Sequence, residues 1–141
     1  MQQFIEFITN HWMLSTALVV ILVLLVQEEI SRRRFGIPQL GPLAATQLMS
    51  HEDAIPVDVR EDEEYRKGHI AHALHIPLGQ LDQRLAELEK YRDRPLLLVC
   101  RSGSRSNRAG SLLRKAGFES IYNLAGGIMA WENANLPITR K

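Results

Sequence analysis

Residues 12–26, WMLSTALVVILVLLV, carry no charge, and every Lys and Arg of the chain lies C-terminal to them. A helix of this composition has no polar face to turn to water, so it has to be buried in a core or in a bilayer. At about 1.5 Å per residue it spans roughly 22 Å, short of a hydrocarbon layer about 30 Å thick. Extending it back through Phe4, Ile5, Phe7 and Ile8 gives about 23 residues, which is long enough to cross. Glu6, Asn10 and His11 then belong near the headgroups, with Trp12 as an interfacial anchor. The expected division is a short tail over 1–10, a transmembrane helix over 11–30, a juxtamembrane linker over 31–42 and a globular domain over 43–141.

Arg32-Arg33-Arg34 follows the apolar run, while the N-terminal flank offers only its amine. Positive residues stay on the cytoplasmic side and meet anionic headgroups. The expectation is a single-pass protein of the cell (inner) membrane, N-terminus out and globular domain in the cytoplasm. A cleaved signal peptide would open with a positive segment and close on small residues, and this segment does neither. A buried core helix is the remaining alternative.

Beyond Gly36-Ile37-Pro38 and Gly41-Pro42, short apolar runs alternate with helical patterns. Strands are predicted over Ile55–Val59, Ala73–Ile76, Leu96–Cys100 and Ile121–Leu124. Leu78, Leu81, Leu85 and Leu88 mark one helix face. Ala109, Leu112, Leu113 and Ala116 mark a second helix, stopped by Gly117, and Gly126-Gly127 opens a last turn through Trp131. Strands alternating with helices imply an α/β domain whose parallel sheet is covered on both faces. Sites in such sheets form beyond the carboxyl ends of the strands, where Asp58-Val59-Arg60 and Cys100-Arg101-Ser102 both emerge.

Cys100 is the only cysteine, so no internal disulfide can form. A buried strand delivers it to Arg101-Ser102-Gly103-Ser104-Arg105-Ser106, and a helix follows directly. Backbone N–H groups of such a loop converge as an anion-binding nest, and the helix N-terminus adds its positive end. Gly103 permits the tight turn, and Ser104 or Ser106 is placed to cap the helix. A thiol of pKa near 8.5 is only a few per cent ionised at pH 7. The helix dipole offers about 0.3–2 kcal/mol, and Arg101 and Arg105 are expected to add to it. A thiolate held this way attacks sulfane sulfur and carries it as a persulfide. A packed, inert cysteine would explain the apolar run before Cys100 but not the Arg-Ser-Gly-Ser-Arg run after it.

With these motifs in order, the chain resembles the rhodanese-like sulfurtransferases over roughly residues 43–139. The resemblance rests on Val57-Asp58-Val59-Arg60, Glu64-Tyr65 before Gly68-His69-Ile70, and His75-Ile76-Pro77. It continues through the Cys100–Ser106 loop and Gly126-Gly127-Ile128-Met129-Ala130-Trp131 before Leu136-Pro137. It implies a parallel sheet of about five strands flanked by helices, a persulfide on Cys100, and an anion cradle over Arg101, Ser102, Gly103, Ser104 and Arg105. Ser104 and His75 stand where asparagine is frequent in the family, and the apolar leader is an addition to the bare domain.

Asp58 and Arg60 are read as an ion pair supporting the underside of the loop, with substrate orientation as the alternative. His69, His72 and His75 fall at a turn and strand without a carboxylate or cysteine cluster, so neither a metal nor any other cofactor is expected. Trp131 and Phe118 read as core, and Glu61–Glu64 as the solvated start of a helix. The net charge of +1 gives no reason to expect a nucleic-acid partner. The phosphatases related to this fold need Cys-x5-Arg, whereas Arg105 gives Cys-x4-Arg. The expected partners are a small sulfur donor, a thiol acceptor and the lipid bilayer. A membrane-tethered docking or sulfur-delivery module for another membrane protein is the alternative function.

Overall fold

The computed structural model describes the backbone of residues 1–141 and all side chains except Ser31, Arg32, Arg34 and Phe35. Two of the three arginines expected against headgroups therefore have side chains outside the described set. Arg33 pairs with Glu29 one turn back, at 2.8 Å. The chain forms two compact units, Met1–Arg34 and Phe35–Lys141.

The first unit contains helices α1 (Gln2–Asn10) and α2 (Trp12–Phe35), separated at His11 by φ −124° and ψ 38°. Within α2, Trp12–Ile30 has a mean hydropathy of 2.0 and none of it is buried, as a core helix would be. It is long and apolar enough to cross a membrane. Two of the expected boundaries differ. Residues 2–10 are helical rather than a tail, and α2 runs on into the stretch read as linker. The first residues unfavourable to a helix are Gly36 and Pro38, and Pro38 also disfavours helix at Ile37.

The second unit runs β1 (Gln39–Leu40), α3 (Pro42–Glu52), β2 (Ile55–Asp58), α4 (Asp62–Lys67), β3 (Leu74–His75), β4 (Leu96–Val99), α5 (Ser104–Lys115), β5 (Ile121–Leu124) and α6 (Gly127–Asn133). The five strands form one parallel sheet in the order β1-β5-β4-β2-β3. Strand β1 lies inside the expected linker. It holds two residues between Pro38 and Gly41, too few to show any period, and is fixed by Asn123 N–H to Pro38 O at 2.9 Å and Ala125 N–H to Leu40 O at 2.8 Å.

The central strand β4 is buried on both faces, as a parallel strand must be. Its side chains alternate strictly. Leu96 and Leu98 enter the core layer of Val57, Ala109, Leu113 and Phe118, while Leu97 and Val99 enter that of Ala45, Ile128 and Trp131. The leucines of the expected helix over 78–88 belong instead to two 3₁₀ segments, Leu78–Gln80, with Leu81 just past its end, and Leu85–Tyr91. Steps of three between 78 and 81 and between 85 and 88 suit the 3₁₀ period, and Gly79 weakens a continuous α-helix there. Leu81 and Leu88 are fully buried all the same.

Leu98 is fully buried at the middle of β4, so Leu98→Ala leaves a cavity against both β2 and β5. It should cost about 2–5 kcal/mol of stability, read as an earlier midpoint when the detergent-solubilised full chain is unfolded in urea.

Candidate active site

The alternation of β4 decides where the cysteine points. Cys100 continues the Leu96–Leu98 side, toward α5, and is 1% exposed. The chain then turns through Gly103, whose φ of 103° lies in the left-handed region where a side chain would be strained. This turn brings the Gly103 N–H to 2.9 Å from Cys100 Sγ, and the Ser106 hydroxyl approaches it at 3.3 Å. Burial is the largest single effect on the thiol and pushes its pKa up. The Ser106 hydroxyl and the backbone N–H groups of Ser106, Gly103 and Ser102 together outweigh it, and the thiol ends below its ordinary value.

The loop carbonyls are held outward by the opposite wall. Ile128 N–H donates to Cys100 O at 2.8 Å and Met129 N–H to Arg101 O at 3.2 Å. Gly127, with φ 60°, lies so close to Cys100 O and the Arg101 carbonyl that a Cβ there would collide with backbone. The segment before α6 thus braces the loop, and holding the Arg101 carbonyl fixes the peptide plane whose N–H, that of Ser102, acts on Sγ.

Ser106 does not cap α5 as expected, and neither does Ser104. The cap position is Gly103, with no side-chain bond. The Ser106 hydroxyl is shared instead among Sγ, Gly103 O and Asn123 Oδ1. Asn123 is fully buried on β5, and its Nδ2 donates to Gln39 Oε1 at 2.7 Å and to Gly103 O at 3.2 Å. Gln39 reaches on to Asn107 Oδ1 at 2.7 Å. This polar chain from β1 to the cysteine went unread in the sequence. Its one signal is an asparagine at an inward position of the otherwise apolar Ile121–Leu124.

The two arginines of the loop are placed differently from one another. Arg101 and Ser102 are exposed, as is Ser104. Arg105 is locked to Glu64 by paired bonds of 2.7 and 2.8 Å. The hydrogen bond from Arg105 is the main cause holding Glu64 below the usual carboxylate range, and the bond to Glu64 is what chiefly raises Arg105. Hydrogen-bond dipoles lead in lowering the Cys100 thiol, while Arg105 has its largest interaction with Glu64 and a smaller one with the Cys100 sulfur.

Asp58 and Arg60 are both buried and bind each other, at 2.9 Å from Nε to Oδ1 and 2.7 Å from a terminal nitrogen to Oδ2. Asp58 pairs in register with Val99, whose side chain enters the layer opposite Cys100, and Arg60 also donates to Gly68 O at 2.7 Å. His69 and His75 stack on either side of the Tyr65 ring, with centroids 3.7 and 4.2 Å away. Their ring nitrogens meet Tyr65 O and Arg60 O rather than converging on a common point.

These features have counterparts in known proteins. The family description "Rhodanese-like domain" matches residues 42–134. The chain is 32% identical to the Escherichia coli protein YibN over 141 residues, 99% of each chain, so the match includes the N-terminal helices. It is 40% identical over 91 residues to a sulfurtransferase of Allochromatium vinosum, covering 64% of this chain and 83% of that one. The crystal structure of a rhodanese-related protein from Thermoplasma volcanium superposes with a TM-score of 0.67 at 27% identity, covering 74% of this chain and 99% of that one. The chain belongs to the rhodanese-like domain family.

Because hydrogen-bond donors stabilise the anion of Cys100, the pH at which half the thiol is ionised should lie below the ordinary value near 8.5. Iodoacetamide alkylation followed against pH should report this directly. Ser106→Ala deletes one donor to a charged acceptor, worth about 1.5–3 kcal/mol, so that midpoint should rise by about one pH unit or more and alkylation at pH 7 should slow. An unmoved midpoint would contradict this assignment.

Proposed function

We propose that the protein is a membrane-anchored sulfurtransferase that carries sulfane sulfur as a persulfide on Cys100. The observation that carries this reading is the convergence of Gly103 N–H and Ser106 Oγ on one sulfur, with the thiol lowered despite burial. Membership of a family with named sulfurtransferases supports it.

In the first half-reaction the Cys100 thiolate attacks the outer sulfur of a donor. A bond forms between Sγ and that sulfur, and the bond from that sulfur to the rest of the donor breaks. The electron pair departs with the donor remnant, as sulfite from thiosulfate or a thiolate from a persulfide. In the second half an acceptor thiolate attacks the outer sulfur and Cys100 leaves as thiolate. No net oxidation occurs and no metal is needed. Arg101, Ser102, Gly103, Ser104 and Arg105 form the wall around the transferred sulfur, and the Asp58–Arg60 pair supports that wall from beneath. Since Cys100 is 1% exposed, the donor has to present its sulfur end-on, which favours narrow sulfane groups over branched ones.

Helix α2 supports a single bilayer crossing, with Arg33 on the cytoplasmic side and the N-terminus outside. The anchor would hold the sulfur carrier near membrane-bound donors or acceptors.

Intact-mass analysis of the full chain after exposure to thiosulfate or a small persulfide should show the gain of one sulfur atom, reversed by added thiol. Cys100→Ala should show none. Wild-type protein that gains no sulfur from any donor would defeat the reading. For the anchor, the full chain should remain in the membrane pellet after alkaline carbonate extraction, and release into the supernatant would remove that part.

A further inference from the structure

We infer that Glu64 is a specificity-determining residue: by holding the Arg105 guanidinium it withholds that charge from small dianionic donors, leaving the site to prefer persulfides of low charge. The inference deepens the sulfur-transfer reading and rests on it.

Arg105 belongs to the loop that surrounds Cys100, and its electrostatic partners include the Cys100 thiolate as well as Glu64. It faces Glu64 in a bidentate pair whose side chains are 31% and 30% exposed, within reach of an entering molecule. The surroundings repeat the same balance. One cleft beside the loop sets Lys67 and Arg101 against Glu64 and Glu132, with Arg60 already committed to Asp58. The neighbouring cleft sets Arg105 and Arg108 against Glu61 and Asp82. A third is lined by Glu61, Asp62, Glu63 and Glu64.

The clefts flanking the loop thus offer an approaching dianion no net positive charge, and one of them is lined by consecutive carboxylates. Long-range recruitment of an anion requires net opposite charge, and here there is little. The donors on Sγ are dipoles, which act at contact and stabilise the sulfur anion only once it is in place. Thiosulfate brings two negative charges to this mouth, whereas an alkyl persulfide brings at most one on its reacting group. The bonds made and broken are those of the first half-reaction, and only the charge of the donor differs.

The test is single-turnover sulfur loading of Cys100 on the full chain in lipid nanodiscs, with thiosulfate and 2-hydroxyethyl hydropersulfide compared by intact mass. Glu64→Gln keeps an acceptor for Arg105 and removes the charge, and should raise the ratio of thiosulfate to persulfide loading rates about tenfold. Glu64→Asp should keep the wild-type ratio, and Glu64→Gln combined with Arg105→Gln should lose the gain. In wild type, thiosulfate loading should change little with ionic strength. An unchanged ratio in Glu64→Gln, a gain that survives loss of Arg105, or a steep fall of wild-type thiosulfate loading with salt would each overturn the role of Glu64. Absence of loading from either donor would instead remove the sulfur-transfer reading itself.

Discussion

The site depends on a few peptide groups being held with their N–H ends toward one sulfur. Met129 of α6 holds the Arg101 carbonyl, which fixes the Ser102 N–H of the same peptide plane, and the left-handed turn at Gly103, φ 103°, carries the chain past the sulfur. Without that outward anchorage the loop peptides could rotate, and a buried thiol would face the full penalty of ionising in an apolar layer. The close approach of Gly127 to the loop is therefore electrostatic in consequence although steric in nature. The sheet contributes direction, since the two-residue alternation of β4 aims Cys100 at α5 and puts the Asp58–Arg60 pair behind the opposite face.

Dipoles and charges have separate tasks in this arrangement. Two of the full charges beside the loop are paired off: Arg105 with Glu64, Arg60 with Asp58. What remains on Sγ is a set of neutral donors whose strength is greatest where water is excluded. Such a set stabilises whatever sulfur anion occupies the loop without drawing in every anion nearby. The fully buried Asn123 extends the logic. Its Nδ2 holds Gly103 O, which leaves Oδ1 facing Ser106 and makes the single Ser106 proton a shared one between the amide and the sulfur.

Much of this was legible in the sequence. The Leu96–Cys100 run, the small-residue loop and the Gly126-Gly127 pair announce a strand, a nest and a tight turn because each has a local physical signature. The family motifs extend that reading to the fold. Three features were hidden for definite reasons. Strand β1 is two residues long and bounded by proline and glycine, so it has no periodicity to detect. The leucines at 78–88 satisfy two helical periods at once, and only packing selects 3₁₀. The Glu64–Arg105 and Ser106–Asn123 contacts join residues 41 and 17 positions apart, and no local pattern links them. The charge of Arg105 was consequently read as acting on the cysteine alone, when its nearest partner is a carboxylate on α4.

A depressed thiol pKa serves both halves of the proposed cycle, though unequally. Loading gains from a larger thiolate fraction near neutral pH, but nucleophilicity falls with basicity along a Brønsted slope of about 0.4–0.5, so part of that gain is lost. Unloading has no such offset: when the acceptor attacks the outer sulfur, Cys100 is the leaving group, and a lower pKa makes it leave faster. A lowered thiol pKa therefore favours release of the sulfur over its retention. That bias suits a carrier whose task is to hand sulfur on rather than to store it.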